Sequence, residues 1–372
     1  MTRILYVATS DIHIQTFHIP YLKWLTENGC EVHLAVENRG NLTIPYVKKV
    51  FYIPFPRTPF SLTNISSYKY LKEIITDNNY KVIHCHTPIP GVLTRLAAIK
   101  ARKNGAKILY TAHGFHFYKG GPLKNWLFYY PVEWLLSGCT DDIITINAED
   151  YNYINNRMWH KNSHYIKGIG VDDEKFKTLT YKEILQIRME YGFKPDDFIL
   201  LYIAEFIHRK NHKFIIETLP ELVKFIPDLK ILFAGTGILL ESMKVYSKKL
   251  HVDQHIEYLG FRNDIEKLAA ITDVGISSSR QEGLGLGIAE QMICSKPVVA
   301  SFDRGHKEMV NHGENGFLFR QGNHIEFIEY IIKLYNDQEL RKRMGEKSNL
   351  EAQKFLINNS LRSMADIYSQ YI

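Results

Sequence analysis

Apolar runs of strand length alternate along this chain with segments whose apolar residues recur at helical spacing. Residues 3–9 (RILYVAT) read as a buried strand, and 17–28 as a helix stopped by Gly29. Strands follow at 31–36 and 50–53, a helix at 68–78, a strand at 81–84, a helix at 91–103 and a strand at 107–111. A strand at 143–146 and a helix at 148–158 close this half, and 163–173 crosses over. A polar helix at 177–194 leads to a second series: strand 198–204, helix 213–225, strand 229–234, helix 239–251, strand 256–259, helix 264–271 and strand 274–277. A glycine-rich loop, another helix and a strand at 297–300 come next, and the chain is helical and polar from 326 onward. Strand–helix alternation with short connections predicts an α/β fold of doubly wound parallel sheets, repeated once. Two Rossmann-like domains are expected, with the boundary near residue 168. Such sheets bind ligands at the carboxyl ends of their strands. The polar residues there in the first half are Ser10, Asp11, His13, His84, His86, His113 and His116.

At 372 residues the chain exceeds one ordinary core, which agrees with two domains. The net charge is +6, with 18 Lys+Arg against 11 Asp+Glu in residues 1–165 and 28 against 29 in the remainder. The excess positive charge therefore sits in the first half. No nucleic-acid partner is expected. The cysteines, Cys30, Cys85, Cys139 and Cys294, show no paired spacing, which argues against a zinc framework or disulfides and for a reducing compartment. The N-terminus reads as a first strand rather than a signal peptide, and no apolar run approaches the ~20 residues of a membrane span. A cytoplasmic protein is expected, with any membrane contact peripheral at the inner face. Residues 114–136 (GFHFYKGGPLKNWLFYYPVEWLL) are dense in aromatics with Lys119 and Lys124 among them. They fit either a membrane-interface segment or a helix packed on the core behind a mobile loop.

The chemistry concentrates in residues 277–301 (SSSRQEGLGLGIAEQMICSKPVVAS). Read as strand, glycine-rich loop, helix, turn and strand, this stretch presents backbone N–H groups at a helix N-terminus, where an anion can sit. Glu282 belongs to the loop, and Glu290 lies about two turns into the helix.

Glu282 and Glu290, in EGLGLGIAE, resemble the E-x7-E motif of retaining family 4 glycosyltransferases. The His84-Cys85-His86 loop, Thr111-Ala112-His113-Gly114, Gly168-Ile169-Gly170-Val171-Asp172, Arg209-Lys210 and Ala234-Gly235-Thr236-Gly237 fall in that family's order. The resemblance covers essentially the whole chain. Residues 114–136 and IITINAEDY resemble bacterial enzymes of capsule and exopolysaccharide synthesis. The implied fold is GT-B: two Rossmann-like domains facing across a cleft, an acceptor domain at 1–167 joined by a returning C-terminal helix at 356–372, and a nucleotide-sugar donor domain at 168–355.

The resemblance also implies roles. Glu290 binds the donor's ribose, since a carboxylate accepts from two adjacent hydroxyls. Glu282 contacts the donor sugar, and the backbone of Gly283, Leu284, Gly285 and Leu286 lines the same pocket. Lys210 neutralises the leaving diphosphate. The family's arginine five positions before that lysine is replaced by Glu205, so either Arg209 takes its role or Lys210 works with helix dipoles alone. Gly235 joins the donor set, and Arg262 is a candidate to stack on uracil. His113 is the active-site histidine; Asp11, His13, His84, His86 and His116 are acceptor-side candidates. The first strand-to-helix loop lacks the paired glycines of many relatives. No metal or other cofactor is expected, since the chain holds no Asp-x-Asp pair.

The function expected is retaining transfer of a hexose or N-acetylhexosamine from a UDP-sugar to a lipid-linked or other glycan acceptor, alongside other polysaccharide-assembly proteins. The rival readings are a UDP-sugar epimerase of the same fold, which converts donor without acceptor, and a non-catalytic partner subunit. A nicotinamide dehydrogenase is disfavoured, because no G-x-G-x-x-G follows the first strand.

Overall fold

The computed structural model describes residues 1–56 and 58–372. The chain forms two compact units: Met1–Ile169 together with Ile357–Ile372, and Gly170–Leu356.

The first unit is built on seven parallel strands: β1 (Thr2–Ser10), β2 (Cys30–Glu37), β3 (Lys49–Tyr52), β4 (Val82–His86), β5 (Lys107–Ala112), β6 (Asp142–Thr145) and β7 (Asn162–Tyr165). Their order is β3-β2-β1-β4-β5-β6-β7. Ile4, Leu5, Val7 and Ala8 of β1 are all fully buried, as helices on both faces of a parallel sheet require. The order reverses at β1, so a crevice opens at the carboxyl ends of β1 and β4. The second unit repeats the plan with β8 (Phe198–Ile203), β9 (Leu229–Ala234), β10 (Ile256–Gly260), β11 (Val274–Ser277), β12 (Val298–Ser301) and β13 (Gly316–Phe319), in the order β10-β9-β8-β11-β12-β13. Its switch point lies between β8 and β11.

Two strands go beyond the elements expected from the sequence. β7 (NSHY) has no buried residue, and β13 (GFLF) is four residues long beside glycines. Both are edge strands, which carry neither the long apolar run of a central strand nor a clean alternation. The helix expected at 91–103 begins earlier, as Pro88–Ala97, and breaks before Ile99–Lys103. Thr87 ahead of it adopts φ 65° and ψ 157°, a costly conformation for a β-branched residue, directly after the strand β4 that carries His84 and His86.

The helix Ile357–Tyr368 belongs to the first unit. The Tyr368 hydroxyl lies 2.6 Å from His84 Nδ1, its ring stacks on Trp24, and the Tyr371 hydroxyl donates to Asp142 Oδ2 at 2.6 Å. Residues 114–136 fold into the helices Leu123–Phe128 and Tyr130–Ser137. Phe115 and Phe117 are buried, and Trp126, Tyr130 and Trp134 pack against the core. The opposite side exposes Leu123 (86%), Leu127 (70%) and Leu135 (64%). A buried ion pair pins this segment down: Arg95 Nη2 donates to Glu133 Oε2 at 2.8 Å, and the guanidinium lies 3.9 Å above the Tyr110 ring. Among the described residues no helix is long and apolar enough to cross a membrane.

Candidate active site

In the second unit the loops after β8 and β11 meet. Arg280 N–H donates to Arg209 O at 2.8 Å, the Ser278 hydroxyl to Asn211 O at 2.9 Å, and the Tyr202 hydroxyl to Lys210 O at 2.6 Å. These bonds aim both cations at Glu282, which is 6% exposed. Lys210 Nζ pairs with Glu282 Oε1, and Arg209 Nη1 lies 3.1 Å from Oε2. Burial by itself would push the Glu282 carboxyl up; Lys210, Arg209 and His306 outweigh it and hold the group at about 2. Glu282 is thus an ionised carboxylate under two cations. Glu205 is exposed at the rim of the β8 loop, and the guanidinium of Arg209 reaches this cluster.

The glycine-rich loop follows directly. Gly285, at φ +101°, caps the helix Leu286–Ile293 without any side-chain cap bond. The helix's first N–H groups therefore have no intrahelical acceptor and point at the loop. Leu284 is buried and contributes backbone to this loop, with Gly283 and Leu286 beside it. One helical turn further on, Glu290 is half-buried and makes no hydrogen bond or ion pair among the described residues. Burial pushes its carboxyl up to about 7; Lys175 works against that shift and Glu266 adds to it.

Two residues expected on the donor side are committed elsewhere. Gly235 N–H donates to Gly260 O at 2.8 Å, and a Cβ there would stand 2.0 Å from Ala204 O. Its glycine is required by backbone crossing, and its N–H is not open to a phosphate. Arg262 Nε donates to Asp264 Oδ1 at 2.7 Å, and its guanidinium lies 5.6 Å from the Tyr191 ring. It is held by this side-chain pair rather than presented to a base.

The loop after β12, absent from the expected set, completes this cluster. Glu282 N–H donates to Asp303 Oδ2, His306 N–H donates to Asp303 Oδ1 at 2.8 Å, and Arg304 Nε donates to Glu282 O at 3.3 Å. His306 is fully buried; its Nδ1–H donates to Ser301 O at 2.8 Å, leaving Nε2 without a hydrogen-bond partner among the described residues. A Cβ on Gly285 would lie 3.5 Å from that nitrogen. The signal was present in the sequence: a polar run, FDRGHKE, directly follows an apolar strand of a parallel sheet.

In the first unit the imidazoles of His13, His18, His86 and His113 gather at the switch point. His13 Nε2 lies 3.1 Å from His18 Nε2, and His86 Nδ1 lies 3.2 Å from His113 Nε2. His18, absent from the expected set, caps the helix Ile19–Glu27 and bonds the Tyr6 hydroxyl through Nδ1 at 2.8 Å. Burial disfavours every imidazolium here: His13 falls to about 4, and His18, His86 and His113 lie well below the usual histidine range. His113 and His13 are half-buried and open outward.

Three acceptor-side expectations are corrected by their contacts. Asp11 is fully buried, and its carboxylate accepts backbone N–H bonds from Ile12, Arg39, Gly40 and Leu42 at 2.9–3.2 Å. It clamps the loop after β2. His84 bonds Tyr368 through Nδ1, which docks the C-terminal helix, and Thr111 Oγ1 of β5 through Nε2, so both nitrogens are used. His116 lies apart from the imidazole cluster, stacked on Tyr129 at 4.7 Å.

Comparison with known proteins agrees with this picture. Residues 3–147 match the family description "Glycosyl transferase 4-like", and residues 183–350 match "Glycosyl transferases group 1". The chain is 43% identical, across all of its length and 97% of the relative's, to "Putative glycosyltransferase EpsD" of Bacillus subtilis (strain 168). It is 25% identical to the "UDP-Gal:alpha-D-GlcNAc-diphosphoundecaprenol alpha-1,3-galactosyltransferase" of Escherichia coli, over 95% of this chain and 93% of that protein. Anabaena Alr3699/HepE, solved in complex with UDP and glucose, shares the fold with a TM-score of 0.81 at 20% identity, each chain covered completely. Two parallel-sheet units, a fold shared with solved glycosyltransferases, and this extent of identity place the chain in the group 1, GT4-like glycosyltransferase family: it is a glycosyltransferase.

Proposed function

We propose that this glycosyltransferase moves a hexose or N-acetylhexosamine from a UDP-sugar to a glycan carried on a polyprenyl diphosphate, with retained anomeric configuration, in cell-surface polysaccharide synthesis. The observation that carries the reading is the Glu282–Lys210–Arg209 cluster beside the uncapped helix at Leu286. It offers what a nucleotide-sugar demands: a carboxylate for sugar hydroxyls, cations and helix N–H groups for a diphosphate, and Glu290 with free acceptor capacity for a ribose diol. The Escherichia coli relative named for UDP-Gal and a diphosphoundecaprenol-linked sugar supports the donor and acceptor classes.

On this reading the Gly170–Leu356 unit holds the donor and the other unit the acceptor. The acceptor oxygen bonds to the anomeric carbon as the bond to the leaving phosphate oxygen breaks, on the same face, and the acceptor proton passes to that phosphate. Lys210, Arg209 and the helix end take up the charge that develops there, without a divalent ion. His113, uncharged, orients the acceptor hydroxyl or a sugar hydroxyl by hydrogen bonding; its depressed pKa makes it a poor resting base. The exposed Leu123, Leu127 and Leu135, with Lys119 and Lys124 alongside, suit contact with an anionic membrane surface where a lipid-linked acceptor resides.

A screen of UDP- and GDP-sugars by thermal shift, followed by mass spectrometry with a lipid-linked acceptor, tests the reading. Stabilisation by a UDP-sugar and an acceptor one sugar heavier are expected. Conversion of the donor with no acceptor present indicates an epimerase instead, and no binding of any nucleotide-sugar refutes the proposal.

Glu290 supplies a pH signature. Its folded-state pKa is raised, so across pH 4.5–7 the unfolded chain ionises this group first and the fold loses stability as pH rises. A ribose that donates two hydroxyls to the carboxylate favours the ionised form. Affinity for UDP-glucose, whose diphosphate does not titrate in this range, should therefore rise with pH, by at most about tenfold per unit, and level off above about 7. Calorimetric titration from pH 5 to 8 should show this rise, and Glu290→Gln should flatten it. A slope unchanged in the variant removes Glu290 from the ribose.

A further inference from the structure

The switch point of the first unit holds more imidazole than an acceptor hydroxyl needs. His13 and His18 present Nε2 atoms 3.1 Å apart, and His113 offers a ring nitrogen within 4.8 Å of both. Two nitrogens on one tetrahedral zinc, at Zn–N of about 2.0–2.1 Å, stand roughly 3.3–3.4 Å apart. We infer that His13, His18 and His113 form a site for a single borderline divalent transition-metal ion of the zinc class.

The surroundings have the form such a site requires. His18 is buried, and its Nδ1 lies 2.8 Å from the Tyr6 hydroxyl; in the tautomer with Nδ1–H donating to that oxygen, Nε2 is left to ligate. His86 Nδ1, 3.2 Å from His113 Nε2, braces that ring from the buried side. The half-buried His13 and His113 give the ion a way in. An all-nitrogen set with no carboxylate favours zinc, copper, nickel or cobalt over magnesium or calcium. The ion would be held by histidines of the first unit and not by the Glu282–Lys210–Arg209 cluster, so it is not proposed as the leaving-group metal of other transferases. Its consequence for activity rests on the transferase reading above. His13 and His113 are the acceptor-side groups, so a bound ion withdraws them and inhibits transfer without weakening nucleotide binding.

The test uses the full chain, stripped of metal with a chelator and titrated calorimetrically with zinc chloride. One saturable equivalent is expected. His13→Gln and His113→Gln should each weaken it by at least about tenfold, whereas His251→Gln, on the surface of the other unit, should leave it unchanged. Cobalt(II) in the wild-type protein should develop the intense visible bands of a low-coordinate nitrogen site, which requires no variant to fold. Absence of a stoichiometric equivalent overturns the inference. So does zinc binding that neither His13→Gln nor His113→Gln weakens, which marks adventitious surface binding. Stoichiometric zinc in a protein whose metal-free form transfers from no UDP-sugar refutes the proposed UDP-sugar reading and leaves the metal site standing. Transfer that continues at full zinc occupancy removes the inhibitory role alone.

Discussion

Lys210→Ala lowers turnover by about 100- to 1,000-fold while leaving the fold intact. Lys210 lies on the short turn His208–Lys210, and its ammonium lies against the Glu282 carboxylate. When the glycosidic bond breaks, negative charge grows on the leaving phosphate, and a positioned cation in a partly desolvated site is worth about 3–4 kcal/mol to that transition state. Arg209, half-exposed and 3.1 Å from the same carboxylate, takes a smaller share because water screens it. The two effects should not add. Removal of Lys210 leaves Glu282 to Arg209 and His306, and neighbouring charges couple. Single-turnover rates for K210A, R209A and the double variant, with nucleotide affinity measured in parallel, decide the matter. Turnover within threefold of wild type in K210A would falsify the assignment of Lys210 to the leaving group.

Glu133→Ala should destabilise the first unit by about 3–5 kcal/mol. The change strips Arg95 of its counter-charge at a position 1% exposed, with the Gly91 carbonyl, at 2.9 Å from Nε, and the Tyr110 ring left to it among the described residues. A unit of this size loses roughly 2–4 °C of Tm per kcal/mol, so a clear drop in the melting temperature is expected. The double replacement R95M/E133L should recover most of the loss, because desolvation of two charges offsets much of their attraction. The pair ties the helix Tyr130–Ser137 to the helix Pro88–Ala97, so E133A should also loosen the aromatic segment that bears Leu123 and Leu127. A melting temperature unchanged in E133A, or no recovery in the double variant, contradicts this account.

Much of the architecture was legible from local pattern. Central strands such as ILLYI and KILF declare themselves because both faces of a parallel sheet are buried, and the glycine stops and turns between them are local chemistry. Glu282 and Glu290 were legible too, since a glycine-rich loop entering a helix states where an anion can sit. The edge strands β7 and β13 were not, because pairing on one side leaves little trace in residue type.

The partners of each polar side chain belonged to the tertiary structure alone. Asp11 looked like a site carboxylate at a strand end, yet the loop at 39–42 folds over it and uses all its acceptor capacity. His84 and His86 are two residues apart on one strand, yet one docks Tyr368 and the other joins the imidazole cluster. His18 and His306 enter their sites through contacts made by the folded chain. The sequence by itself determined the alternation of elements, the two-unit plan and the chemical types that a nucleotide-sugar needs, because these follow from periodicity, turns and spacing along the chain. Only the tertiary structure decided which charges are paired, which imidazoles share a site and which carboxylate keeps its acceptor capacity free, because those depend on residues brought together from distant positions and on the water excluded around them.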